Sequence, residues 1–466
     1  MQNKFKLVIF SIICLVTFNN LFAASAPGKF ISMTDIHFNP FLNCKADQSS
    51  CPLIDKLQKA DYQSWGGILK QNDNQTLSTY RQNTNFALFE SALLAIKNVE
   101  QREHPKFLLV MGDLFAHEMK SSYVRYTGDN TTAGYEAFIK KNMQFLAYEI
   151  KQKLPNIDTY LLIGNNDSYT GDYGIVPNGK FFQDTATIWS SLIKNSQNKT
   201  AFLKDFPNSG YYSIVIPKTH HRIIALDTVL FSTYAIQATK NAALQELNWL
   251  DNQLKSAKEK QEPVLLAMHI PMGIDVFMTI NNKQRAIVPF WQNEFTQKFK
   301  EVLDKYPNVI VEILAGHIHK DAFQILTLKG GAEIPVTYTP SISPIYRNNP
   351  GFKLYEYDNK TFKILNYDVY YTNSADKNTK WVKEYSFNHQ YQNDCKQCNL
   401  LTGIKKLLSS ENLKSFYEIN YMVMVNQDVT AHHELDYYQC GMNQFIDFDY
   451  KSCLKEKMPY KFFFWI

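Results

Sequence analysis

No dense lysine or arginine run interrupts this 466-residue chain, and its net charge is only +5. A nucleic-acid groove is therefore not indicated. Internal repeats and low-complexity tracts are absent as well. The apolar run at residues 7–18 is too short to span a bilayer. Lys4 and Lys6 precede it and small residues at 23–26 follow, the pattern of a secretory signal cut after Ala23 or Ala24. Residues 1–26 are set aside on that ground, with a retained anchor as the alternative. Cysteine is scarce, at seven residues. Cys14 falls in the discarded segment, and the bulky Ile13 before it argues against lipid attachment.

The six remaining cysteines are an even number in an exported chain, which predicts disulfides. Cys44–Cys51 should close a small loop and Cys440–Cys453 is the second expected pair. Cys395 and Cys398 pair with each other or with those two. A redox or zinc role for this Cys-x-x-Cys is the alternative, but no second such pair follows. Apolar residues make up 45% and charged residues 20%, ordinary for a folded soluble protein. The length fits one large domain and a smaller one.

Continuous apolar runs at 107–111, 160–163, 264–268 and 309–315 predict strands buried on both faces. Leu244, Leu247, Leu250 and Leu254 mark one amphipathic helix between them. Phe86, Leu88, Phe89, Leu93, Leu94 and Ile96 mark another. Strands alternating with helices predict an α/β fold with active residues at strand ends. The catalytic domain is expected over 27–370, with residues 38–83 as a long polar insertion at its rim. Residues 371–394 read as a linker and 395–466 as a small, mainly helical subdomain. Its aromatic tip, 461–466, could dip into a membrane surface but more often such a run packs into a core.

Five polar fragments sit at the ends of apolar runs: Asp35-Ile36-His37, Gly112-Asp113, Gly164-Asn165, His269 and Gly316-His317-Ile318-His319. They supply three oxygen and four nitrogen ligands, enough for two divalent metals sharing one carboxylate. Such a pair turns water into a nucleophile and clamps a phosphoryl group. In an extended segment alternate residues point the same way. Asp35 with His37, and His317 with His319, are thus each expected to reach one metal together. Asp113 is placed to bridge. Oxygen and imidazole ligands suit zinc, manganese, iron or cobalt. Any one fragment alone is common; all five in order are not.

The ordered set resembles the calcineurin-like metallophosphoesterase superfamily. Thr34-Asp35-Ile36-His37-Phe38, Gly112-Asp113-x-x-x-His117, the stretch at 340–344 and that at 348–352 resemble the acid sphingomyelinase-like phosphodiesterases within it. The resemblance implies a four-layer α/β/β/α sandwich and two zinc ions. One would take Asp35, His37, Asp113 and His319, the other Asp113, Asn165, His269 and His317. Purple acid phosphatases are set aside, because Ala116 stands where their tyrosine ligand would be.

Two departures shape the expectation. The family usually has a histidine after the motif asparagine, and here Asn166 stands there. Asn166 cannot supply a proton. His117 is the substitute, four residues after Asp113 and on its side if that segment turns helically. Orienting a metal ligand is the competing role for His117. Sphingomyelinase also carries a lipid-presenting domain ahead of its catalytic part, whereas few residues here separate the signal from Asp35. That favours water-soluble nucleotide or phosphocholine-type substrates over membrane lipid. The expected function is therefore a secreted, monomeric phosphoesterase acting on a small phosphorylated substrate through a hydroxide between two metals. Asp113 and His117 would be catalytic, and Asn166, Tyr346 and Arg347 would touch substrate. An endopolyphosphatase, a sphingomyelin phosphodiesterase and a binding protein on an inactive fold are the alternatives.

Overall fold

The computed structural model describes residues 26–72, 76–282, 286–376, 379–393, 395, 398–425 and 434–459. The expected signal and the aromatic tip lie outside them, Ala26 apart. Twelve strands occur among the described residues. They are β1 (Gly28–Met33), β2 (Phe107–Val110), β3 (Asp158–Leu161), β4 (Tyr212–Val215), β5 (Arg222–Ala225), β6 (Val264–Ala267), β7 (Ile310–Ala315), β8 (Ala322–Thr327), β9 (Glu333–Tyr338), β10 (Gly351–Tyr357), β11 (Ile364–Tyr371) and β12 (Val382–Ser386). They form two six-stranded sheets, ordered β12-β11-β10-β1-β2-β3 and β4-β5-β6-β7-β9-β8. β1, β2 and β3 run parallel, as do β5, β6, β7 and β9.

The sheets pack face to face with helices outside, the expected α/β/β/α sandwich. Polar atoms join them across the core. Tyr212 Oη donates to the Leu161 carbonyl at 3.0 Å, and the Thr337 hydroxyl lies 3.1 Å from that of Tyr355. The helix Phe86–Glu103 starts where the Asn85 side chain accepts the Leu88 N–H, and ends at His104 in a left-handed turn. Its buried stripe runs through Phe86, Phe89, Leu93 and Ile96. Leu94, counted into that face from the sequence, falls outside it and is 43% exposed. Leu247, Leu250 and Leu254 are the buried stripe of the helix Lys240–Glu259.

Two polar stretches are more ordered than their composition suggests. The insertion at 38–83 contains the helices Pro52–Lys59 and Trp65–Asn72, and Trp65 is fully buried. The expected linker carries β12 and the helix Phe387–Gln392. Tyr385 explains this, since its hydroxyl donates to Asp321 Oδ2 at 2.6 Å and lies 3.1 Å from that of Tyr367. One buried tyrosine thus draws a charged strand onto the sheet edge. Beyond it the chain is helical, and Leu400, Ile404 and Leu407 bury one face of the helix Leu400–Leu408. All three disulfides form, Cys44–Cys51, Cys395–Cys398 and Cys440–Cys453. No described helix is long and apolar enough to cross a membrane.

Candidate metal centre

The five fragments follow the C-terminal ends of β1, β2, β3, β6 and β7, which brings residues 35 to 319 to one edge of the sandwich. Open α/β sheets present ligands there. Close backbone approach explains the motif glycines. A Cβ on Gly112, itself at φ +90°, would stand 2.7 Å from Gly164 N and 2.8 Å from His269 Nδ1. One on Gly164 would stand 2.2 Å from both Asp113 N and Oδ1. The ligand loops therefore touch backbone to backbone.

Two ligand groups result: Asp35 with His37 and His319, and Asp113 with His269 and His317. In each, one ligand atom per residue lies within 4.8 Å of the others. His37 Nε2 lies 3.5 Å from Asp113 Oδ2 and His269 Nε2 lies 3.4 Å from the same oxygen, so Asp113 sits between the groups. Asn165 Oδ1 joins the second, 3.1 Å from His269 Nε2.

His317 and His319 thus part company, as the family resemblance implies and against the alternation reading that both reach one metal. Extended alternation does not apply, because both are left-handed, at φ +70° and +62°. Asp35, His37 and Asp113 share this backbone at +50°, +46° and +55°. Non-glycine residues rarely adopt it, and it concentrates at functional sites. Asp35 and His37 do converge, but through these turns.

The donor set fits cations. His269 Nδ1 is 2.7 Å from the Met111 carbonyl, which only accepts, so Nδ1 carries the hydrogen in the neutral ring and Nε2 a lone pair. That lone pair faces the carboxylate of Asp113 and the amide oxygen of Asn165. The amide orientation is set by Asn165 Nδ2 donating to Asp172 Oδ1 at 2.7 Å. His37 repeats the arrangement, with Nδ1 3.1 Å from the Phe115 carbonyl and Nε2 3.0 Å from His319 Nε2. Asp35 Oδ1 is buried without a hydrogen bond. Lone pairs aimed at one another need a cation or a proton between them. Burial opposes a charge on His269, yet the Asp113 carboxylate outweighs it and holds the imidazole up at about 10. In His317 burial and the neighbouring His269 win, and the ring is pushed down to about 3. A proton and a metal compete for the same lone pair, so metal uptake releases protons.

The other expected site residues fall in three places. His117 stacks on His37 with ring centroids 4.3 Å apart, and its Nδ1 lies 3.4 Å from Asn83 Oδ1. It arrives without a helical turn from Asp113: Phe115 pairs with Phe38, and only the helix Met119–Thr127 follows. Tyr346 stands edge-on to His319 at 4.7 Å and is 51% exposed. Asn166, expected to touch substrate, spends its groups on Asp113: its N–H donates to Oδ1 at 2.8 Å and its Nδ2 to Oδ2 at 2.9 Å. Arg347 is exposed, with no side-chain polar contact to the cluster.

The sequence reading overlooked Asp167, Asp172 and Asn83. Asp167 is fully buried and accepts the N–H groups of Leu114 and Gly164 at 2.8 and 2.9 Å, tying two ligand loops together. Burial, then the Asp113 charge, push its carboxyl up to about 7. A carboxylate two residues after a motif asparagine was a usable signal for it. Nothing in the spacing marks Asn83.

A sandwich of this kind with two such ligand groups at its strand ends defines a binuclear-metal phosphoesterase. The chain belongs to the calcineurin-like phosphoesterase family, whose sequence profile matches residues 28–321, more than half of it. Residues 333–460 match the acid sphingomyelin phosphodiesterase C-terminal region. The chain is similar to the human cyclic GMP-AMP phosphodiesterase, 24% identical over 453 residues, covering 92% of this chain and 91% of that protein. It is also similar to the human acid sphingomyelinase-like phosphodiesterase 3b, 24% identical over 452 residues, covering 93% and 91%. A Dictyostelium discoideum protein, sphingomyelinase phosphodiesterase C, is 25% identical over 380 residues, covering 77% of each.

Proposed function

We propose that this phosphoesterase acts on phosphodiesters or phosphoanhydrides of nucleotide or phosphocholine type, with zinc in both ligand groups, after export through its N-terminal signal. The observation that carries the reading is the convergence of both ligand groups beside His117 and the half-exposed Tyr346. The human relative named for cyclic GMP-AMP supports a nucleotide. Three disulfides support an oxidising compartment.

When bound, the cations supply an acidified water and charge compensation for the phosphoryl oxygens. Asp35, His37, His319, Asp113, Asn165, His269 and His317 hold them. Asn166 and Asp172 orient Asp113 and Asn165. His117 is placed to give its proton to the departing oxygen as the phosphorus–oxygen bond breaks. Metal-loaded protein is expected to hydrolyse bis(p-nitrophenyl) phosphate, to lose that activity on chelation and to regain it with zinc. Inactivity of the zinc-loaded protein on this diester, ATP, CDP-choline, polyphosphate and sphingomyelin micelles alike would overturn the reading.

Burial, and then the neighbouring His37, push the His117 imidazole down to about 3. Its protonated fraction therefore grows as pH falls below neutrality. Hydrolysis of esters with poor leaving groups should be favoured by acid until the ligand histidines protonate and release metal. His117→Ala should slow alkyl diesters by about 10²-fold or more, while nitrophenyl esters, whose leaving group needs no proton, lose far less. Equal losses on both would assign His117 to holding His37 instead.

A further inference from the structure

The sequence contains six arginines, against many more lysines. Five lie among the described residues, and three of those are engaged. Arg102 pairs with Glu103, Arg222 pairs with Glu262, and Arg125 donates to the Ala46 carbonyl. The two whose side chains have no polar partner among the described residues, Arg81 and Arg347, sit side by side. Their backbone N–H groups both donate to the Pro344 carbonyl at 3.0 Å. Both are exposed, and both are left-handed, at φ +70° and +63°.

Their shared anchor lies at the mouth of the metal centre. Ser343, one residue before Pro344, donates its N–H to the Asp35 carbonyl at 3.1 Å. Asn83, two residues after Arg81, is the residue facing His117. Tyr346, one residue before Arg347, stands over His319. Lys320 Nζ donates to the Tyr346 carbonyl at 3.1 Å and ties down the backbone just before Arg347. A planar guanidinium fork matches phosphate oxygens two at a time, which an ammonium cannot do.

We propose that Arg81 and Arg347 form an anion subsite for a second phosphate, adjoining the one that is hydrolysed, on the side of His117. This rests on the phosphoesterase reading above and narrows it, since two-phosphate substrates such as nucleoside diphosphates and triphosphates are then preferred over a diester bearing one phosphate. The cation-bearing end of a choline ester gains nothing from this rim.

The test compares zinc-loaded wild type with Arg81→Ala, Arg347→Ala and the double variant on ATP and on bis(p-nitrophenyl) phosphate. Each single change should raise KM for ATP about tenfold, the worth of a charge-assisted hydrogen bond, and do much less to the diester. The difference should shrink in about 1 M NaCl, where screening acts within about 3 Å. Inorganic tripolyphosphate should compete with the diester on wild type and lose that power on the double variant. Equal losses on ATP and diester, or unchanged tripolyphosphate inhibition, would overturn the subsite. If the alanine variants do not fold, Arg81→Lys with Arg347→Lys reads the same question, because it keeps charge and removes the fork. Its ATP preference should fall, and an unchanged preference would count against the proposal. A wild type inactive on the diester would instead bring down the phosphoesterase reading itself.

Discussion

Asp113→Ala should lower kcat on bis(p-nitrophenyl) phosphate by more than about 10³-fold, beyond the ~10²–10³-fold that a single oxyanion donor is worth. It should also lower the metal content of the purified protein. Each Asp113 oxygen already accepts one N–H from Asn166, and a carboxylate oxygen has a second lone pair to give. Its side chain lies between the two groups, since both His37 and His269 point Nε2 at Oδ2. Burial works against its charge, yet His269 and His37 hold the carboxyl well below the usual carboxylate range, so it stays ionised in acid. Without it, four imidazoles face a single remaining carboxylate, Asp35, and mutual repulsion of two cations would be uncompensated. Metal analysis and kinetics on the same preparation decide the matter. Full metal content with full activity would show that Asp113 links nothing.

The ligands were legible because each follows an apolar run that had to be a strand. The runs at 107–111, 160–163 and 264–268, in and just after β2, β3 and β6, are unbroken because both faces are buried, and the one charge in β7, Glu312, is buried too. β10 to β12 were not legible for the opposite reason. Lys353 interrupts β10, Asp368 interrupts β11, and β12 begins Val-Lys-Glu. Their place in the sheet depends on partners far away in sequence, such as Asp321 for Tyr385. Side-chain direction at the site was legible only where it does not depend on φ. The rule of alternation holds for extended backbone, and five ligands here are left-handed. Asn166 was read as free for substrate because nothing in the motif shows that Asp113 lies within reach of both its groups.

Lys353→Met is the change expected to cost most stability. Lys353 and Asp321 are fully buried, with Nζ 2.7 Å from Oδ1, and neither atom has a further hydrogen bond. The ammonium lies 3.8 Å from the centre of the Tyr367 ring, which adds attraction. Burial pushes Lys353 down and Asp321 up, and each holds the other's charge against it. Removing one partner strands the other, at about 3–5 kcal/mol, a large part of an ordinary stability of about 5–15 kcal/mol. Lys353→Met with Asp321→Asn removes both charges and should recover most of the loss, as buried pairs replaced together often do. The consequence reaches the metal centre, because Asp321 follows His319 by two residues and donates its N–H to the Tyr421 carbonyl at 3.1 Å. Asn349, on the loop that carries Tyr346, donates its Nδ2 to the Val423 carbonyl at 2.8 Å. The C-terminal region thus grips both the His319 turn and the rim of the site. The single variant should lose metal more readily than the double one, alongside its lower urea midpoint. A single variant that unfolds within about 1 kcal/mol of wild type would show that the pair holds neither the core nor the turn.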